Sequence, residues 1–347
     1  MSTDQALGRA PTGTLSTTGE FIGVDLGGTK VSVAVMRQGE LQEPSLAPTD
    51  NSSQDALIGQ LAGAIEAARA RCQDEPIAVG VGVPSVVEFP SGRVRSSVNV
   101  PLQDVALGAL LGERLGLDVY VDNDANCAAL AEAHDLDGHL ECTQLVMFTV
   151  GTGVGGGIII DGRPHRGASG AAGELGHMII GLDLSERVPG AGEFPRPGSL
   201  EALASGRALD RLARRSASEH PNSALGRAAA AGSQPDGRAL TQSAREGDRD
   251  ALADLALLGE RLGVGIANVI NIFDPQVVAI GGGVSTAHEL LVDHARQSAL
   301  RFVLPGVGTH TEIRLARSGE QAGVRGAALL GAQESVARHS SKHGGPQ

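Results

Sequence analysis

Aromatic residues and cysteines are scarce in this sequence. Tryptophan is absent from the 347 residues, and all aromatic residues together make up 2%. Because hydrophobic residues still reach 41%, the core must be built from Ala, Val, Leu and Ile. The three cysteines, Cys72, Cys127 and Cys142, lie far apart and form no C-x-x-C pair. This pattern argues against a disulfide framework and is typical of core thiols in a reducing compartment.

Positive charge and long apolar runs are scarce as well. The net charge of −12 argues against a nucleic-acid-binding surface. Residues 1–20 are polar, so they do not resemble a secretory signal. No apolar run approaches the roughly 18 to 20 residues of a membrane span. We therefore expect a cytoplasmic protein of about two domains that binds neither nucleic acid nor a membrane.

Glycine, in contrast, is abundant and clustered between strand-like segments. A glycine turn joins apolar residues 21–24 to the alternating segment 31–35, which predicts a β-hairpin. A second hairpin is predicted where residues 145–150 and 158–160 flank a run of glycines. This weak internal repeat predicts an α/β fold with two similar halves.

The second glycine run matches the letters of the dinucleotide fingerprint at Gly151, Gly153 and Gly156. That fingerprint requires a helix after the glycines, whereas three isoleucines and an Asp161–Gly162 turn follow here. We therefore reject a Rossmann site. The pattern G-x-x-x-x-G-K-[ST] is also absent, which excludes a P-loop.

The two hairpins favour another kind of phosphate site. Glycine N–H groups can approach phosphate oxygens closely, and Thr29 and Thr152 add hydroxyl donors. Asp25 would hold Mg²⁺, most simply through water. Lys30 either adds positive charge or is an ordinary surface lysine. A single glycine hairpin is more simply a tight turn, but two of them and a third cluster at residues 281–283 favour phosphate binding.

The segment Val119–Asn123 ends a buried strand in polar residues, and an alanine-rich helix follows. Ligands bind at the carboxyl ends of strands in open α/β sheets, although Asp and Asn are also preferred helix caps. Phosphoryl transfer needs a carboxylate that orients the attacking hydroxyl and accepts its proton. Asp124 is our candidate, whereas Asp122 is predicted to be structural.

Two further motifs carry polar residues within glycine-rich surroundings. Glu174 and His177 lie three residues apart and suit the vicinal hydroxyls of a sugar, although such a pair often has no function. Glu201 follows Gly198, Ser199 and Leu200 and has an ordinary alternative as a first-turn helix acid.

Together these motifs resemble the ROK family of sugar kinases, repressors and glucokinases over roughly residues 20–335. The matching segments are residues 25–30, 121–125, 151–157 and 173–177. The resemblance implies a two-domain actin/hexokinase-like (ribonuclease H-like) α/β fold with an interdomain cleft. It also implies phosphorylation of a hexose by ATP and Mg²⁺, with glucose as the first expectation.

Site residues follow from the same resemblance. Asp124 would be the catalytic base, and the sugar-binding set would be Asn99, Asn123, Asp124, Glu174, His177 and Glu201. The ATP and Mg²⁺ set would be Asp25, Gly27, Gly28, Thr29, Lys30, Gly151, Thr152, Gly153, Gly282 and Gly283. The expected domains are residues 20–134 plus 322–338 and residues 135–321, with disordered tails at 1–19 and 339–347, and a homo-oligomer is expected.

One departure concerns the structural zinc that is usual in the family. Its ligands are a His and three Cys in C-x-C-G-x-x-G-C-x-E, but Ser199 stands at a cysteine position here and no Cys lies between His177 and Glu201. A closed zinc site needs four ligands. We therefore predict that zinc is not bound.

Alternatives stay open within and beyond the kinase class. The sugar could be mannose, N-acetylmannosamine or N-acetylglucosamine, and the donor could be polyphosphate. A non-catalytic sugar-binding regulator is the rival from another class, although the short polar stretch before Phe21 and the acidic charge disfavour a DNA-binding role.

Overall fold

The computed structural model describes residues 18–89, 91–97, 99–183, 190, 192–283 and 289–343. Of the tails predicted to be disordered at 1–19 and 339–347, residues 1–17 and 344–347 lie outside the described residues, whereas 339–343 belong to the last helix, which extends to His343. By the density of contacts the chain divides into two compact units. The first comprises Met1–Thr143, Ile159–Gly170 and Gln321–Gln347, and the second comprises Gln144–Ile158 and Ala171–Glu320.

The described part of the chain contains short strands and longer helices. The strands are β1 (Glu20–Leu26), β2 (Lys30–Arg37), β3 (Glu40–Leu41), β4 (Ser45–Pro48), β5 (Ala78–Val83), β6 (Ser85–Glu88), β7 (Arg93–Ser97), β8 (Gln103–Ala106), β9 (Val119–Asn123), β10 (Leu145–Val150), β11 (Val154–Ile160), β12 (Arg163–Pro164), β13 (Val277–Gly281) and β14 (Glu312–Leu315). The α-helices are α1 (Gln54–Arg69), α2 (Leu107–Leu115), α3 (Asp124–Glu132), α4 (Leu200–Ala204), α5 (Gly206–Glu219), α6 (Ala224–Ala230), α7 (Gly237–Arg245), α8 (Arg249–Phe273), α9 (Glu289–Phe302) and α10 (Ala322–His343).

The main sheet of the first unit has the order β3-β2-β1-β5-β9, with β4 also paired to β2. Strands β1 and β2 form the first predicted hairpin, and β5 and β9 run parallel to β1. Glycines let α10 lie directly on this sheet, since a Cβ at Gly23 would come within 2.1 Å of the Val324 carbonyl oxygen and one at Gly80 within 1.7 Å of that of Ala327. The carboxyl ends of β1, β5 and β9 therefore share one edge.

A second, three-stranded sheet of the order β6-β7-β8 precedes α2. Sequence patterns predict neither this sheet nor α2. The strands have four or five residues each, and only β6 shows regular alternation of buried side chains. With so few buried positions, the period-2 signal on which strand prediction depends is lost.

A third sheet has five strands in the order β12-β11-β10-β13-β14. The predicted hairpin of β10 and β11 is present, and β13 runs parallel to both β10 and β14. Helix α8 has 25 residues and is apolar enough by length and composition to cross a bilayer, yet 56% of its apolar window is buried. It packs on α9, α5, α7 and α4, which is the pattern of a core helix.

Candidate functional site

Strand β9 ends at Asn123 and helix α3 begins at Asp124. The Asn123 Oδ1 atom accepts hydrogen bonds from the backbone N–H groups of Ala125 at 2.9 Å and Asn126 at 3.2 Å. Its Nδ2 atom donates to the Ser85 carbonyl oxygen at 3.3 Å. Asn123 is therefore the helix cap, which leaves Asp124 as the first helical residue.

Asp122 lies 2% exposed beneath this turn. Its Oδ1 atom accepts hydrogen bonds from the Asn123 N–H at 2.8 Å and from Asn126 Nδ2 at 3.0 Å. Its Oδ2 atom accepts a bond of 2.7 Å from Arg166 Nε. These contacts hold the start of α3, so the predicted structural role of Asp122 is what the geometry supports.

Asp124 is half-buried, and its Oδ1 atom accepts a bond of 2.8 Å from the Ala125 N–H. Cys127, one turn further along α3, lies near several carboxylates. Burial raises the pKa of the Cys127 thiol well above its usual range, and the charges of Asp122, Asp25 and Asp124 raise it further. The thiol therefore stays protonated, and the carboxylates of Asp25 and Asp124 are both within electrostatic range of it.

Asp25 lies near the carboxyl end of β1, where it is paired in register with Gly82 of β5. Burial raises the pKa of Asp25, and the nearby Lys30 opposes part of this shift. The first turn of α10 covers the group closely, because a Cβ at Gly323 would lie 2.5 Å from the Asp25 Oδ2 atom. A partly desolvated carboxylate of this kind suits a cation that keeps most of its own water, as Mg²⁺ does.

The first glycine hairpin is held through its carbonyl groups. Thr49 Oγ1 donates to the Gly27 carbonyl oxygen at 2.7 Å, and Asn51 Nδ2 donates to that of Gly28 at 2.9 Å. Asn99 is exposed beside the turn, since a Cβ at Gly28 would come within 3.3 Å of the Asn99 Cβ. The structure thus brings a predicted sugar ligand next to a predicted phosphate turn.

The second hairpin rests on a carboxylate. Glu201 Oε2 accepts a bond of 2.9 Å from the Val154 N–H, and a Cβ at Gly153 would lie 2.4 Å from the same oxygen. The Gly206 N–H donates to the Gly151 carbonyl oxygen at 2.7 Å. Glu201, predicted to bind the sugar, therefore also supports the turn predicted to bind phosphate.

Glu174 precedes the short 3₁₀ turn Leu175–His177, which His177 ends and which packs on β11. The His177 Nε2 atom lies 3.8 Å from Glu174 Oε2, and both side chains are exposed. The edge of the His177 ring meets Phe194 at a centroid distance of 5.7 Å. The two predicted sugar ligands are thus together and accessible.

Ser199 stands where the family's pattern has a cysteine, and it is fully buried. Its Oγ atom accepts a bond of 3.2 Å from the Ala202 N–H and so caps α4, the helix that carries Glu201. The Leu200 N–H donates to the Met178 carbonyl oxygen at 2.8 Å. Backbone pairing and a serine cap therefore join the ends of this loop, part of which lies outside the described residues.

A cavity of about 890 Å³ in the second unit includes Gly151, Thr152 and Gly283 from the predicted ATP set. Its other lining residues include Arg207, Arg238 and Arg245, which lie outside the sequence motifs described above. The sequence does mark Arg207 and Arg238, because the tetrapeptide Gly-Arg-Ala-Leu contains each of them and occurs both at residues 206–209 and at 237–240. Asp210 and Asp236 also line the cavity, so the three arginines leave it with one excess positive charge beside the Gly-Thr turn, which suits an anion.

Comparisons with known proteins agree with this geometry. A model of the ROK family matches residues 21–334. A glucokinase of Halalkalibacterium halodurans is 32% identical over 322 residues, which is 90% of this chain and 95% of that protein. An N-acetyl-D-glucosamine kinase of Escherichia coli is 35% identical over 322 residues, covering 89% and 98% of the two chains.

The crystal structure of a ROK family glucokinase from Streptomyces griseus in complex with glucose and AMPPNP superposes with a TM-score of 0.73 at 31% identity. The superposition covers 91% of this chain and 100% of the S. griseus chain. The predicted actin/hexokinase-like α/β fold is thereby confirmed. Since the family match and these relatives span about nine tenths of its length, the chain belongs to the ROK family.

Proposed function

We propose that this protein is an ATP-dependent hexose kinase that converts glucose to glucose 6-phosphate. The observation that carries the proposal is the placement of two carboxylates in the first unit. Asp25 and Asp124 lie at the carboxyl ends of β1 and β9, with β5 between them. Two strand spacings separate their backbones by about 10 Å, which leaves room for a phosphoryl group and a hydroxyl.

Each carboxylate suits a different task. Asp124, at the first turn of α3, accepts the proton of the sugar 6-hydroxyl. The hydroxyl oxygen bonds to the γ-phosphorus at the same time, and the bond between this phosphorus and ADP breaks. Asp25 would hold Mg²⁺ through water, and this cation supplies charge neutralisation on the phosphates. The side-chain amide of Asn123 is held beside Asp124 by its capping bonds, and it can still make further hydrogen bonds.

The second unit supplies groups for the remaining parts of the substrates. The Gly151–Thr152 turn and the three arginines of the adjoining cavity favour a polyanionic donor. Glu174 and His177 are accessible for sugar hydroxyls. The S. griseus relative with glucose and AMPPNP and the name of the H. halodurans relative support this assignment of donor and acceptor.

Release of ADP across glucose, mannose, fructose, N-acetylglucosamine and N-acetylmannosamine tests the proposal. We expect the highest kcat/KM with glucose and a fall of about 10²–10⁴-fold in kcat for Asp124→Asn, with glucose binding retained. Asp55→Asn is the matched control, because Asp55 is an exposed first-turn acid of α1. Retention of kcat in Asp124→Asn would refute its role as the base.

A second candidate acceptor is an N-acetylhexosamine. The E. coli kinase for N-acetyl-D-glucosamine is as similar in sequence as the glucokinases are, and it supports this alternative. The same sugar series decides between the two. Replacing ATP by polyphosphate in the series decides the donor.

We also propose that the protein acts in the cytoplasm as a homo-oligomer, without a nucleic-acid or membrane partner. The net charge of −12 supports the part that concerns nucleic acids. Light scattering on the purified protein measures the oligomeric state, and a monomer at micromolar concentration would contradict it.

A further inference from the structure

A chain of buried charges lies behind the proposed catalytic turn. Arg166 Nε donates to Asp122 Oδ2 at 2.7 Å, and Arg166 Nη2 lies 3.5 Å from Glu334 Oε1 of α10. The side chains of Asp122, Arg166 and Glu334 are 2%, 14% and 10% exposed. The Arg166 guanidinium carbon also lies 3.6 Å from the centre of the Phe89 ring. We call Asp122, Arg166 and Glu334 the charge relay.

The relay is bonded directly to the start of α3. Asp122 accepts hydrogen bonds from the Asn123 N–H and from the Asn126 side chain, so one of its oxygens holds both sides of the first turn. Its other oxygen is bonded to Arg166. Rotation of the Asp122 carboxylate would therefore move the turn that carries Asp124.

Removal of a partner from such a chain has a large cost. A buried charge that loses its partner is strongly destabilised, and it reorients toward water or toward other donors. Arg166, which is bonded to Asp122, lies in the segment after β12 (Arg163–Pro164), far from β9 in the chain. The positioning of the turn thus depends on a residue outside the matched motifs.

We propose that Arg166 is a positioning residue for the catalytic base, an inference that rests on the proposed role of Asp124. Acting through Asp122, it fixes the direction of the Asp124 carboxylate and ties this direction to α10. A shift of about 1 Å in a reacting group can cost on the order of 10²-fold in rate. The relay therefore acts on turnover without touching either substrate.

The chain offers a matched control. Arg163 Nη2 also donates to Glu334 Oε1, at 2.9 Å, but Arg163 is 46% exposed and its contacts with the relay are to Glu334. We expect Arg166→Met to lower kcat at least tenfold, with a smaller change in the KM for ATP. We expect Arg163→Met to stay within about twofold of the wild type. Arg166→Lys, which keeps one charge without the fork, should be intermediate.

A double-mutant cycle tests the path through Asp122. In the background Asp122→Asn, whose amide can still accept the bonds from Asn123 and Asn126, Arg166→Met should lower kcat by less than about threefold further. Equal effects of Arg166→Met in both backgrounds, or a kcat per folded molecule equal to that of Arg163→Met, would overturn the proposal.

Hydrogen exchange separates this proposal from the proposed function. In Arg166→Met, amide exchange in a peptide spanning residues 123–130 should be at least tenfold faster than in Arg163→Met. Unchanged exchange refutes positioning by Arg166, whatever the substrate. Faster exchange in a protein that lacks hexose-dependent ADP release supports positioning and refutes the proposed function instead.

Discussion

The six-stranded sheet that contains β1 and the five-stranded sheet that contains β10 share part of their strand order but differ in chemistry at their strand ends. The series β2-β1-β5-β9 in one corresponds to β11-β10-β13-β14 in the other, and each begins with a glycine hairpin followed by parallel strands. Asp25 is paired with Gly82 in the first, and Thr149 occupies the same place opposite Gly281 in the second. The first sheet thus carries the carboxylate of Asp25 at the position where the second sheet carries the hydroxyl of Thr149.

The hairpins also differ in what supports them. Neutral donors, Thr49 and Asn51, hold the carbonyl groups of the first turn. The carboxylate of Glu201 lies under the second turn and bonds to the Val154 N–H. The acidic functions are concentrated at the strand ends of the first unit, whereas arginines and a supported Gly-Thr turn mark the second. The matching strand orders thus carry carboxylates at the strand ends of one unit and a Gly-Thr turn beside arginines in the other.

The largest effect in this comparison is expected at the unequal pair of Asp25 and Thr149. Asp25→Asn should lower kcat by about 10²-fold or more, because the amide lacks the charge that we propose holds Mg²⁺. Thr149→Val should change kcat by less than about fivefold. Rates measured over a Mg²⁺ titration check both, and a kcat of Asp25→Asn above half of the wild type would contradict the role of Asp25.

The same substitution should have the opposite effect on stability. Because burial raises the pKa of Asp25, folding favours the protonated form. This favourable contribution is present at low pH and is lost as the pH rises through the raised pKa. Without Mg²⁺, the melting temperature of Asp25→Asn should therefore equal that of the wild type near pH 4 and exceed it at pH 8. A lower melting temperature at pH 8 would count against a desolvated carboxylate.

The next largest effect is expected at Gly323, in the first turn of α10, which packs against the Asp25 carboxylate. In Gly323→Ala, the new Cβ would meet the Asp25 carboxylate at 2.5 Å, so we expect kcat to fall about tenfold and the Mg²⁺ requirement to rise. Gly63→Ala is the control, because Gly63 is a helical glycine of α1 with open space around its Cα, and alanine should stabilise that helix by about 1 kcal/mol. Equal kinetics in the two variants would show that α10 does not constrain Asp25.

These positions show which parts of the site the sequence can predict. Asp25, the glycine turns and Asp124 follow apolar strands directly, so local patterns indicate both their element and their place at a strand end. Arg166 contacts Asp122, and Glu334 contacts Arg166, only through the tertiary fold, since 44 and 212 positions separate Arg166 and Glu334 from Asp122 along the sequence. Local periodicity holds no information about such contacts. Two of the three cavity arginines, Arg207 and Arg238, are marked in the sequence only by a repeated tetrapeptide without an assigned function, and Arg245 lies outside it.

A smaller effect is expected at the second hairpin. Gly153→Ala should raise the KM for ATP by about five- to tenfold, because its Cβ would lie 2.4 Å from Glu201 Oε2 and displace the turn. Glu201→Ala removes that oxygen, so the double variant should be less impaired than the sum of the single variants predicts. Strict additivity of the two effects on the KM for ATP would show that Glu201 does not support this turn.

The smallest effect is expected where a serine replaces the family's cysteine. Ser199→Ala removes the cap of α4 and should lower the free energy of unfolding by about 1 kcal/mol, or the melting temperature by about 2–4 °C. Ser223→Ala, which removes the equivalent cap of α6, should have a similar effect on stability, but Ser199→Ala alone should also raise the KM for glucose, because α4 carries Glu201. Elemental analysis completes the test: since capping and backbone pairing here replace the metal ligands, we expect far less than one zinc per chain, and about one zinc per chain would refute this account.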